Sequence, residues 1–142
     1  MKKYAVGLLC VLLLLCGCGS KYTTLMPDPA TGKKWAYQAD REELLSLARQ
    51  ILNEVHTGGE ITSIEEKGGF GLRRVSTVAI EFYTHNVLFL PVKGKTVAGE
   101  TVDAYAFDVY GGGSYPGGSI NEAIASDLIK ALDAKYPRVT VE

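Results

Sequence analysis

The chain has 142 residues, with 15 Lys and Arg against 16 Asp and Glu. Its first 17 residues read as a targeting segment, leaving 125 for one small domain, too few for two full cores and a linker. Lys2 and Lys3 leave with that segment, so the mature balance is 13 basic to 16 acidic residues, a net −3. That composition lacks the basic stripe a nucleic-acid partner requires.

Lys2 and Lys3 precede an uncharged run over residues 5–16. As a helix the run spans about 18 Å, against roughly 30 Å of bilayer hydrocarbon. The polar residues Ser20 and Lys21 follow closely. This pattern predicts an export signal over 1–17, not a spanning anchor. Its end, Leu15-Cys16-Gly17-Cys18, resembles the lipobox of bacterial lipoproteins, a resemblance confined to about the first 20 residues. It implies thioether lipidation of Cys18, cleavage after Gly17 and acylation of the new amine by a palmitate-type chain. Cys16 is less suited to lipidation, because Leu15 and not a small residue precedes it. Two membrane signals already give stable anchoring, so three acyl chains would hold the protein almost permanently. By the same resemblance, Gly19 in place of Asp implies the outer membrane, facing the periplasm, in a host with two membranes.

Cys10 and Cys16 fall within the expected leader and the resemblance implies lipid on Cys18, so no thiol is expected to remain for a disulfide, a thiolate nucleophile or a zinc site. Residues 18–39 read as the lipidated cysteine and a tether, punctuated by Pro27, Pro29 and Gly32, with Trp35 and Tyr37 expected to dock on the domain that follows. The domain, 40–142, opens with Asp40 as a helix cap and Glu43 as its reciprocal partner. Leu44, Leu47, Ala48, Ile51, Leu52 and Val55 follow at helical spacing, and Gly58-Gly59 ends the helix.

From residue 60 the period changes to that of strands. Strands are expected over 61–66 and, after a turn at 67–71, over 72–84, where Val78, Ile80 and Phe82 alternate with Thr77, Ala79, Glu81 and Tyr83. His85-Asn86 reads as a tight turn into 87–90, which Pro91 and Lys93-Gly94-Lys95 loosen; a further strand is expected over 101–110. After the glycine-rich stretch 111–118, Ser119 and Glu122 cap a second helix with Ile120, Ala123, Ile124, Leu128, Ala131 and Leu132 on one face. Pro137 stops that helix, and 139–141 is a short terminal strand. The expected fold is two-layer α+β, order α-β-β-β-β-α-β, with a mainly antiparallel sheet of about four to five strands under two helices.

No motif assigns a reaction. His56, in the last turn of the first helix, meets the negative end of the macrodipole, and His85 is expected at a surface turn. No metal-ligand spacing joins them, so neither a metal nor a cofactor is expected. Asp103 and Asp108, like Glu65 and Glu66, are an odd number apart and face opposite sides of a regular strand. Ser114 and Ser119 complete no Gly-x-Ser-x-Gly. The N–H groups of Gly117, Gly118 and Ser119 lie where an anion binds a helix start, but the Lys of a phosphate loop is lacking. Arg73 and Arg74 are adjacent, so at most one points into any given site. Tyr83, Tyr105, Tyr110 and Tyr115 give the sheet an interface-like character, although tyrosine is also an ordinary strand former.

The resulting expectation is a lipid-anchored envelope protein whose non-catalytic domain binds another envelope component, held to the membrane by its lipid and with no nucleic-acid partner. Arg73, Tyr83, Tyr105, Tyr115 and Ser119 are its candidate contact residues. The alternatives are an envelope hydrolase or transferase assembling distant residues such as Glu81, His85 and Asp108, and a small-ligand binder using the 111–119 loop.

Overall fold

The structure, a computed structural model, describes residues 21–55, 59–78, 81–113 and 118–142. Its elements in chain order are β1 (Lys21–Thr23), β2 (Lys34–Tyr37), α1 (Arg41–Val55), β3 (Glu60–Glu66), β4 (Gly69–Val78), β5 (Glu81–Lys95), β6 (Thr101–Gly113), α2 (Gly118–Asp133) and β7 (Arg138–Val141). All the strands join one antiparallel sheet in the order β1-β6-β2-β7-β5-β4-β3, with β5 also paired to β6.

The expected four to five strands are therefore corrected to seven among the described residues, and the order to β-β-α-β-β-β-β-α-β. Two of the added strands come from the segment read as a tether. Strands of three and four residues are too short to display a period of two, yet Tyr22 of β1 stacks on Phe107 at 6.1 Å, and Trp35 and Tyr37 of β2 are buried in the core. A second correction concerns β5, which runs unbroken through His85 and Asn86, in register with β6 from Tyr83↔Gly113 to Lys95↔Thr101. The chain reverses between Val78 and Glu81, so the expected turn at His85-Asn86 is interior strand. Polar composition suggested a turn there, but both side chains are buried and hydrogen-bonded.

Asp40 caps α1 as expected, accepting bonds from the Glu42 and Glu43 amides at 2.9 and 3.3 Å. α2 begins at Gly118, one residue ahead of the expected cap Ser119, whose side chain lies outside the described residues, as do His56, Tyr115 and Cys18. Leu44, Ala48, Ile51 and Leu52 of α1, with Ile124, Ala125, Leu128 and Leu132 of α2, pack on Phe70, Leu72, Val87, Phe89, Phe107 and Val109. Register explains why these sheet residues share one face: Phe70, Phe89 and Phe107 are successive cross-strand partners, as are Leu72, Val87 and Val109. Among the described residues no helix is long and apolar enough to cross a membrane.

Far from the helix termini near Gly113, the sheet closes on itself. β5 pairs with β6, β6 with β2, β2 with β7, and β7 with the other side of β5 at Gly94 and Lys95. Such a small ring leaves less interior than an eight-stranded barrel, whose lumen side chains just fill. It is accordingly filled by small residues, Ala36, Ala104, Ala106 and Val139, flanked by Val92, Val102, Val141 and Leu25. Gly94 sits where β5 and β7 approach, a position with no room for a side chain. Pro91 lies between the part of β5 that pairs with β4 and the part that pairs with β7, where the missing N–H interrupts no ladder on that side.

Candidate functional site

The face of the sheet opposite the helices carries a connected set of polar side chains. Strand alternation sends Leu72 and Arg74 toward the helices and Arg73 away from them. The register then aligns Thr62, Arg73, Asn86, Tyr110 and Lys21 as one rung across β3, β4, β5, β6 and β1. The half-buried Arg73 donates from Nε to Asn86 Oδ1 at 2.7 Å and from Nη2 to Glu66 Oε1 at 2.8 Å. Asn86 donates to the Tyr110 carbonyl at 3.1 Å, and the Tyr110 hydroxyl donates to Glu66 Oε2 at 2.5 Å. Glu66 reaches this rung from the end of β3 across Gly69 and Gly71, which add no side chain to the face between them.

These contacts set the charge states. The Tyr110 hydroxyl and the Arg73 guanidinium hold the Glu66 carboxyl below its ordinary range, against a smaller opposing effect of desolvation. Burial, and then the Glu66 carboxylate, push Tyr110 up to about 12. The Lys67 ammonium lies 5.8 Å from the Tyr110 ring centroid. One step along the sheet, buried Asp108 meets Lys21 Nζ at 2.9 Å through Oδ2, while its Oδ1 has no hydrogen-bond partner among the described residues. An open cleft of about 440 Å³ borders this cluster at the β3–β4 turn, lined by Arg41, Glu65, Glu66, Lys67 and Phe70 among others. Lys67 and Gly68 form that turn with φ of 52° and 75°, the two-residue geometry that suits a twisted hairpin.

Among the described residues the candidate contact residues Arg73, Tyr83 and Tyr105 do not converge. Arg73 belongs to the cluster, whereas Tyr83 and Tyr105 lie on the helix side of their strands. Tyr105 packs edge-on against Phe70 at 5.1 Å, and Tyr83 lies opposite Gly113, about 26 Å further along the ladder at 3.3 Å per residue. The set of Glu81, His85 and Asp108 does not assemble either. His85 is buried on the helix side, its Nδ1 2.9 Å from Asn121 Oδ1, and Asp108 points to the other face. The Glu81 side chain lies outside the described residues. Glu65 and Glu66 divide between the faces as alternation requires, and so do Asp103 and Asp108; Glu65 lies 3.6 Å from Arg41 and Asp103 pairs with Lys93. Among the described residues no group of three His, Cys, Asp or Glu is placed to hold a metal.

Sequence reasoning missed Glu66 and Asn86 as partners of Arg73. The signal was the parity of Arg73 against the apolar Phe70 and Leu72, but it becomes usable only once the register is known. In comparisons with protein families, with curated proteins and with solved structures, the chain matches none.

Proposed function

We propose that this is a lipid-anchored protein of the bacterial cell envelope, facing the periplasm from the outer membrane where the host has two membranes. Its domain binds another envelope component and performs no chemistry of its own. The lipobox-like Leu15-Cys16-Gly17-Cys18 supports the anchoring. The binding reading rests on one observation, the mutual hydrogen bonding of Glu66, Arg73, Asn86 and Tyr110 on the helix-free face. Both oxygens of Glu66 are engaged, and the shifts of Glu66 and Tyr110 carry each group further from neutrality. A general acid or base works best with a pKa near the operating pH, so this cluster is better suited to presenting a fixed charge pattern than to moving protons. Fixed, complementary charge is what confers specificity on protein association.

Affinity capture from intact, cross-linked membranes tests the reading. The expected result is a protein partner in fixed ratio, weakened when Cys18→Ala frees the domain and when Arg73→Ala opens the cluster. Recovery of bulk lipid and abundant envelope proteins alone, unchanged by either substitution, overturns it.

A further inference from the structure

The inference here rests on lipidation of Cys18 and concerns which end of the domain meets the membrane. Lys21, the first residue of β1, lies opposite Tyr110 of β6. Gly19 and Ser20 alone separate it from Cys18. Three residue steps reach at most about 10 Å even when fully extended. A free 22-residue tether would instead allow a mean stand-off of roughly 26 Å. The short reach confines the Cys18 backbone, from which the acyl chains enter the bilayer, to within about 10 Å of Lys21.

β6 continues three residues past Tyr110 to Gly113, about the same 10 Å. Gly113 lies opposite Tyr83, so a reach of that length extends as far as the level of the sheet end where β5 begins and β4 finishes. That end carries two apolar side chains on the helix-free face, Phe82, 64% exposed, and Val75, 38% exposed. Phe82 lies opposite Thr77, and Val75 opposite Thr84, two residues further along the same pair of strands. The exposed Phe82 ring and Val75 offer an apolar contact at this end, and the length of chain to the lipidated cysteine points to the bilayer as what meets them. Aromatic side chains settle at the headgroup level of membranes.

We propose that the sheet end bearing Val75 and Phe82 lies on the phospholipid surface that holds the Cys18 lipid, with the Phe82 ring in the headgroup region. The β5–β6 hairpin then runs away from the membrane for about 40 Å of strand and places its turn, with fully exposed Val97, at the far pole.

The processed mature chain contains Cys18 as its one cysteine, so a second cysteine takes a fluorescent label specifically. The test uses the full lipidated chain in vesicles of phosphatidylethanolamine and phosphatidylglycerol, labelled in separate preparations at Phe82→Cys and Val97→Cys with a polarity-sensitive dye. The expected result is co-flotation with vesicles, with a blue-shifted emission at 82 that headgroup-depth nitroxide lipid quenches, and neither effect at 97. Co-flotation with position 82 as unquenched as 97 overturns the inference and leaves the anchoring reading intact. Failure to float overturns the anchoring reading and this inference together. A shift at 82 that appears only in native membranes, or only as protein concentration rises, overturns it in favour of a protein partner or a second copy of the chain.

Discussion

Gly94 of β5 faces Val139 of β7 so closely that a Cβ at Gly94 would lie 2.5 Å from Val139 Cγ2. The contact closes the four-strand ring, and the atom it meets belongs to a stiff, β-branched, buried side chain. Gly94→Ala is expected to destabilise the fold by about 1–3 kcal/mol, the usual cost of overpacking. Combining it with Val139→Ala makes the room it needs, so the two changes together cost less than their sum. Denaturant midpoints of the single and double variants check this, and strict additivity would contradict the ring geometry.

Tyr110→Phe removes the hydroxyl that most strongly lowers the Glu66 pKa. The Glu66 carboxyl should then titrate closer to the ordinary glutamate value of about 4.3, followed by carbon-detected NMR at Cδ. The wild-type Tyr110 hydroxyl, raised to about 12, keeps its proton in the folded state after the unfolded chain has lost it near pH 10. Its contribution to stability is thus complete below about pH 10 and lost as the pH rises toward 12. The stability gap between wild type and Tyr110→Phe should narrow over that window; a constant gap would contradict the assignment.

Asp133 ends α2 between two partners. Arg138 donates to both of its oxygens, at 2.8 and 2.7 Å, and the Tyr37 hydroxyl donates at 2.8 Å. The Arg138 bonds chiefly hold its carboxyl below the ordinary aspartate range, against an opposing effect of burial. A depressed carboxyl adds stability that is present above the unfolded pKa of about 3.9 and lost as pH falls through the folded value. Asp133→Asn should therefore be less stable than wild type at neutral pH, and the difference should shrink below about pH 4. Denaturant midpoints across the acid limb measure it.

Among the described residues the last turn of α1 contains no basic residue, and β4 brings a positive charge to its C-terminal end. Buried Arg74 donates from Nη1 to the Leu52 carbonyl and from Nε to Ser76 Oγ at 3.1 Å. Arg74→Met keeps much of the apolar stem but leaves a buried carbonyl without that donor, at a cost on the order of 1–3 kcal/mol. Amides over residues 52–55 should lose hydrogen-exchange protection before the rest of the helix. Unchanged protection there would show that the cap lies elsewhere.

The helices and the central apolar strands were legible because each shows its period over many residues: Leu44 to Leu52 repeats as a helix, and Phe70 and Leu72 alternate as a strand. β1 and β2 were not, since three or four residues cannot establish a period and prolines lie between them. The ring leaves no mark in the sequence for a related reason. Ala36, Ala104 and Ala106 look neutral in sequence, and their smallness has meaning only inside a narrow enclosure. His85-Asn86 reads as a turn because it is a polar pair between apolar runs, whereas in the fold Asn121 bonds to one and Arg73 to the other. The polar cluster joins residues from 21 to 110, and only long-range register brings them together.

Closing the ring also settles how the sheet meets its neighbours. β2 and β7 spend both of their flanks on strands of the same chain, so neither offers a template for strand addition. Among the described residues the outer margins are β1, only three residues long, and β3, which carries Glu60, Glu65 and Glu66. Short margins and repeated negative charge both discourage edge-to-edge growth. Wherever identical copies of the chain meet at high local concentration, that is protection against polymerising into a shared, fibre-like sheet.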